Sequence, residues 1–179
     1  MTDDSVEARI TESLRCHHGA GLGTVPWDRV DYLHAFGNVR GALLYSTLFV
    51  PELIEVEGCV FLKDIGIYPP GGWEEVAARI RVARKTSPEA LKELVDSCNW
   101  VEVPYLFSDR SGSTEEDEAL AQVIVQAWRA RLKDRFPDRC FAVHVLDSLW
   151  TGDPGVVGVG FEELPGPERG QTIGLAGPY

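Results

Sequence analysis

The chain has 179 residues, 44% hydrophobic and 25% charged, with a formal net charge of −11; this is the size of one globular domain, able to bury roughly 70% of its unfolded surface without a disulfide or a metal. The acidic balance argues against nonspecific binding to nucleic acid or to an anionic membrane, and it is compatible with a basic partner. Four cysteines (Cys16, Cys59, Cys98 and Cys140) are spread along the chain, whereas a disulfide scaffold or zinc ribbon would cluster them.

The opening "MTDDSVEARI" has no apolar core and does not read as a secretory leader. Val6, Ile10 and Leu14 recur every fourth residue, predicting a helix over 3–18 with Asp3 or Asp4 as N-cap and Gly19 as its stop. A second helix is predicted from Pro26, with Trp27, Val30, Leu33 and His34 on one face and Gly37 ending it. Asn38 can cap a third through "VRGALLYSTLF", which Pro51 stops. The run "GALLYSTLFV" is the most apolar of the chain and is too short to span a bilayer. With unclustered cysteines, these features predict a cytoplasmic protein.

"ELIEVEGCVFL" then reads as a hairpin, strands near 53–56 and 59–63, turning at Glu57-Gly58. A helix follows at 73–84, and Ser87 with Pro88 opens another whose apolar face is Leu91, Leu94, Val95 and Cys98. "WVEVPYLF" is expected to be extended over 100–105. The clearest element is 114–135: Ser113 and Glu116 form a capping box, acids fill the first turn and bases the last. Its ridge of Leu120, Ile124, Trp128 and Leu132 should lie across a sheet. Two further strands are predicted near 140–146 and 156–162. The fold class is therefore α+β: an antiparallel sheet of four or five strands with helices packed mainly on one face. Residues 1–164 form a single domain, and 165–179 a Gly/Pro-rich C-terminal segment.

The stretch "RCHHGAGLG", residues 15–23, invites three readings. A phosphate loop needs a strand before it, and here a helix comes before. Adjacent His17 and His18 on a helix point about 100° apart and cannot easily share one ion. A capped helix end is what remains, although Glu12 and Cys16 have useful i, i+4 spacing. A nucleophile–base set can be assembled from Cys98 or Cys140 with His144 and Asp147, but His144 alternates with Val143 and Val145 on a strand, where a structural histidine is commoner. No catalytic residue, metal or cofactor is therefore assigned. Of the five tryptophans, Trp128 belongs to the core ridge, while Trp27, Trp73, Trp100 and Trp150 lie at element ends or in loops.

Two segments, "LYSTLFVPELIEVEGCVFL" and "NWVEVPYLFSD…AWRARLKDRFPDRCFAV", resemble a group of uncharacterised bacterial cytoplasmic proteins. In that group an LFxPxxxEVxGCVFL-like hairpin precedes a long helix and an FPDRxFxV strand. The resemblance spans roughly residues 43–145. It carries no established activity and implies no site residue; small acidic proteins of this kind often neutralise toxins.

The expected function is a non-enzymatic protein-binding module, one form of which is an immunity protein that neutralises a basic toxin. Its partner would be another protein, neither nucleic acid nor membrane. Glu52, Glu55 and Glu57 on the hairpin would supply charge, and Trp73 and Trp100 apolar anchors. An enzyme of unfamiliar type using a Cys/His pair, a small-molecule sensor and a scaffold are the alternatives.

Overall fold

A computed structural model describes residues 3–18, 27–66, 71–107, 113–146 and 156–165; the Gly/Pro-rich segment, apart from Pro165, lies outside them. The elements in chain order are α1 (Asp3–His18), α2 (Arg29–Phe36), α3 (Val39–Phe49), β1 (Leu53–Val56), β2 (Cys59–Leu62), α4 (Gly72–Thr86), α5 (Pro88–Asp96), β3 (Trp100–Glu102), α6 (Thr114–Arg135), β4 (Cys140–Leu146) and β5 (Gly158–Leu164). The fold is α+β with antiparallel strands throughout.

Local chemistry sets most boundaries. Asn38 caps α3 through a 2.7 Å bond from the Gly41 N–H, Ser87 caps α5, and the Ser113–Glu116 capping box opens α6 with both bonds made. Helix α2 begins at Arg29 because Asp28 and Asp31 form a capping box of their own; Pro26 lies outside the described residues. The hairpin pairs Val56 with Cys59 across a two-residue turn in which Glu57 has φ 50° and Gly58 φ 78°. Both are left-handed, which matches the twist of the strands and suits glycine at the second position. The expected strand over 100–105 is shorter: Pro104 supplies no N–H and a fixed φ, and Val103–Leu106 close into a 3₁₀ turn.

The five strands divide into two sheets, β1-β2 and β3-β5-β4, rather than forming one. A buried side chain spans the seam. The Asn99 carboxamide donates to the Val60 carbonyl at 2.8 Å and accepts from the Leu62 N–H at 3.1 Å, while the Asn99 carbonyl accepts from the Phe161 N–H at 3.1 Å. Asn99 thus stands where a neighbouring strand would, pairing with β2 through its side chain and with β5 through its backbone.

Every residue of β2 is buried because it faces two cores. Val60 and Leu62 point towards α6, joining Trp128, Ile124, Leu132, Val101, Val159 and Phe161. Cys59 and Phe61 point the other way, onto α4 and α5 through Val76, Ile80 and Cys98. The ridge of α6 crosses the three-stranded sheet as its spacing predicts, with Trp128 at 1% exposure. Helices α1 and α3 pack on α6, leaving α4 and α5 to cover the reverse face of β2.

In β5, Gly160 lies between Trp100 and His144 in the ladder. A Cβ there would come within 3.1 Å of the Trp100 side chain and 3.2 Å of the Asn99 carbonyl, so a side chain would force its neighbours apart by a few tenths of an ångström.

Candidate functional site: an apolar face on α2 and α3

The hairpin brings Glu52, Glu55 and Glu57 together, but each already has a cation from its own chain. Glu52 is paired with Lys63, whose hydrogen bond holds the Glu52 carboxyl below the usual range. Glu55 pairs with Arg139 at 3.1 Å and Glu57 with Arg81 at 2.8 Å. Arg84 donates to the Glu57 carbonyl at 2.6 Å. Arg139 ties this corner to the larger sheet: its guanidinium also holds both Glu163 oxygens and the Gly58 carbonyl, and lies 5.5 Å over the Phe136 ring. Each of the three acids is therefore engaged by a cation of its own chain rather than left open.

The two tryptophans assigned to the same surface are half-buried and apart from each other. Trp73 sits 5.8 Å from the Phe61 ring and packs into the α4–α5 core. Trp100 lies on the face of the three-stranded sheet opposite α6, its indole N–H donating to the Ser97 carbonyl at 3.1 Å. Trp150 lies outside the described residues.

Cys16 and His17 occupy the last turn of α1, facing the N-terminus of α6. Glu116 is the hub there. One oxygen accepts from the Ser13 hydroxyl and lies 3.0 Å from His17 Nε2, and the other accepts from the Ser113 N–H at 2.9 Å. An acid between hydroxyl and imidazole is not the order of a nucleophile–base relay, in which the imidazole touches the nucleophile. Among the described residues no group of three or more His, Cys, Asp or Glu could hold a metal ion; the His18 side chain and residues 19–23 lie outside them.

The Ser13 hydroxyl, with help from the Ser113 N–H, lowers the Glu116 pKa. A lowered folded-state value means stability that is present above the unfolded carboxyl range and lost as pH falls through the folded one. Replacing Glu116 with glutamine should flatten that loss: between about pH 7 and about pH 3 the urea midpoint of the wild type should fall further than that of Glu116→Gln.

The Cys/His set of the enzymatic alternative is not assembled by the described residues. Cys140 and His144 share β4 four residues apart, about 13 Å along a strand. Cys98 is buried in the α4–α5 core. His144 instead lines, with Asp96, Asn99, Trp100 and Glu162, a cavity with room for no more than a water molecule. Asp147 lies outside the described residues. Burial raises the pKa of Cys59 and Cys98, whereas Cys16 and Cys140 are exposed. A colorimetric thiol titration of the native protein near neutral pH should accordingly show two fast thiols and two that react only on unfolding.

The surface that sequence reasoning missed is apolar. Of the eleven large hydrophobic residues exposed among those described, eight lie between Val30 and Val50: Val30, Leu33 and Phe36 on α2, and Val39, Leu43, Leu44, Tyr45 and Val50 on or just after α3. Exposures reach 76% at Val39 and 68% at Leu44. On α2 the predicted apolar face is turned outward at Val30 and Leu33, and Tyr32 is the residue buried. On α3 only Leu48 is fully buried. An eleven-residue helix with apolar side chains on nearly every side is normally enclosed; here the chain's own core takes Leu48 and, in part, Phe49.

Charge is balanced along this stretch. Between residues 27 and 50 stand two acids, Asp28 and Asp31, and two arginines, Arg29 and Arg40, in a chain of net −11. Arg29 pairs with Glu7 of α1 at 3.1 Å, and Arg40 has no acid partner among the described residues. Comparison with protein families, with curated proteins and with solved structures finds no match for the chain, so function has to be argued from this geometry.

Proposed function

We propose that the protein works by binding another protein surface, and that the binding face is α2 and α3 rather than the acidic hairpin. The observation that carries this is the concentration of eight exposed apolar side chains on, or just after, two consecutive helices. The largest apolar patch of a typical monomer is about 300–600 Å² and is often functional. The narrower expectation, a cationic toxin gripped by Glu52, Glu55 and Glu57, has less support. Those acids are already engaged in exposed ion pairs within the chain, whereas most of the apolar face is open to water.

A photo-crosslinking amino acid placed at Leu43, with a control at the exposed Lys133 on α6, tests the proposal in the native cell. Adducts of defined mass formed at position 43 and lost in the Leu44→Glu background support it. Equal labelling at both positions, or none at 43, overturns it.

A further inference from the structure

The partner on α2 and α3 has to accept a neutral, apolar surface. We infer that it is a second copy of this chain, packed two-fold symmetrically through α2 and α3; this rests on the proposal that this face is the docking surface. Three observations point there together.

The first is charge. Two copies of net −11 repel one another across most orientations. The stretch from Trp27 to Val50 adds little to that repulsion, with two acids against two bases. A cationic heterologous partner would gain its electrostatic attraction elsewhere on the chain, and this face offers it none.

The second is self-complementarity. In a two-fold interface the same patch meets itself, so it must be chemically compatible with its own image. An apolar face satisfies this and an acidic one does not. The balanced charges satisfy it as well: across a two-fold axis, Arg40, which has no acid partner among the described residues, can meet an acid of α2 on the other copy.

The third is area. Side chains exposing half to three-quarters of themselves leave about 100 Å² open each, so the eight expose roughly 800 Å² in all; consecutive Leu43, Leu44 and Tyr45 point about 100° apart on α3, so one two-fold contact covers only part of this, the size of a weak, concentration-dependent interface below the ~800 Å² per partner of a standard one.

Sedimentation velocity of the full chain over about 1–100 µM, a range spanning ordinary protein affinities, is the test. A species of twice the 19.8 kDa chain mass is expected. Dimerisation should tighten several-fold when salt rises from about 50 mM to about 500 mM, because screening the two acidic bodies outweighs screening the few Arg40 pairs in a mainly apolar contact. Leu33→Glu with Leu43→Glu should weaken it at least tenfold while circular dichroism keeps its helical signal. Arg40→Glu, a milder change on the same face, should weaken it without touching an apolar contact.

A monomer across the whole range overturns the inference. So does a dimer that survives the double substitution, since it must then form elsewhere. A monomer whose position 43 still crosslinks to a different protein removes the second copy and leaves the docking proposal standing. A monomer with no crosslink there removes both.

Discussion

Replacing Asn99 with alanine is expected to cost about 2–6 kcal/mol, because it strands two buried peptide groups at once, each worth about 1–3 kcal/mol when left unpaired. The Val60 carbonyl loses its donor and the Leu62 N–H its acceptor, in a strand whose four residues are all buried. Water cannot replace the carboxamide at a position that is 1% exposed. Asn99→Asp separates the two bonds: the carboxylate still accepts from Leu62 but offers nothing to Val60 and brings a buried charge, so it should be no better tolerated than alanine. Urea unfolding followed by tryptophan fluorescence measures both variants. A loss below about 1 kcal/mol for Asn99→Ala would show that the seam is not held by this side chain.

Trp128→Ala should cost about 3–5 kcal/mol, the range for removing a large aromatic side chain from a packed core. The ring is 1% exposed, meets Phe161 edge-on at 6.3 Å and sits among Ile124, Leu132 and Leu62. Its indole N–H also donates to the Leu48 carbonyl at 2.7 Å, near the C-terminal end of α3. Trp128→Phe keeps most of the ring and strands that carbonyl, so its smaller loss of about 1–3 kcal/mol should be concentrated in α3. Hydrogen exchange resolves the two effects: alanine should lower protection across β4, β5 and α6 together, and phenylalanine chiefly in α3. Uniform loss in both variants would mean that α3 is not anchored through this bond.

The elements with strong local signals were legible in the sequence. The capping box of α6, the serine and proline opening α5, and the Glu57-Gly58 turn each place chemistry within four residues of where it acts, and the structure shows all three. The ridge from Leu120 to Leu132 was readable for the same reason. The seam was not. Asn99 looks like a loop residue between a helix and a strand, and only the tertiary approach of β2 turns its carboxamide into a strand's worth of hydrogen bonds.

The candidate site was legible only in part. Acids at 52, 55 and 57 are visible in the sequence, but their cations come from Lys63, Arg81 and Arg139, up to 84 residues away. Periodicity alone counts such acids as solvated. For α2 the 3.6-residue pattern correctly groups Val30 with Leu33 but carries no sign saying whether that face looks inward or outward. The usable signal lay in α3, where "ALLYSTLF" has no polar side wide enough to be the wet one.

The strand order β3-β5-β4 has a consequence for how the chain is made. The middle strand is the last of the three to be synthesised, and its pairings with β3 connect residues near 100 with residues near 160. While the ribosome is still short of residues 158–164, β3 and β4 both present unpaired edges, and Val143, Trp128 and Leu62 lack the Val159 and Phe161 side chains that complete their core. Asn99 likewise lacks the Phe161 N–H that fixes its backbone beneath β2. A nascent chain of this design is exposed to mispairing until β5 arrives, which then closes the three-stranded sheet and the seam to β2 in one late step.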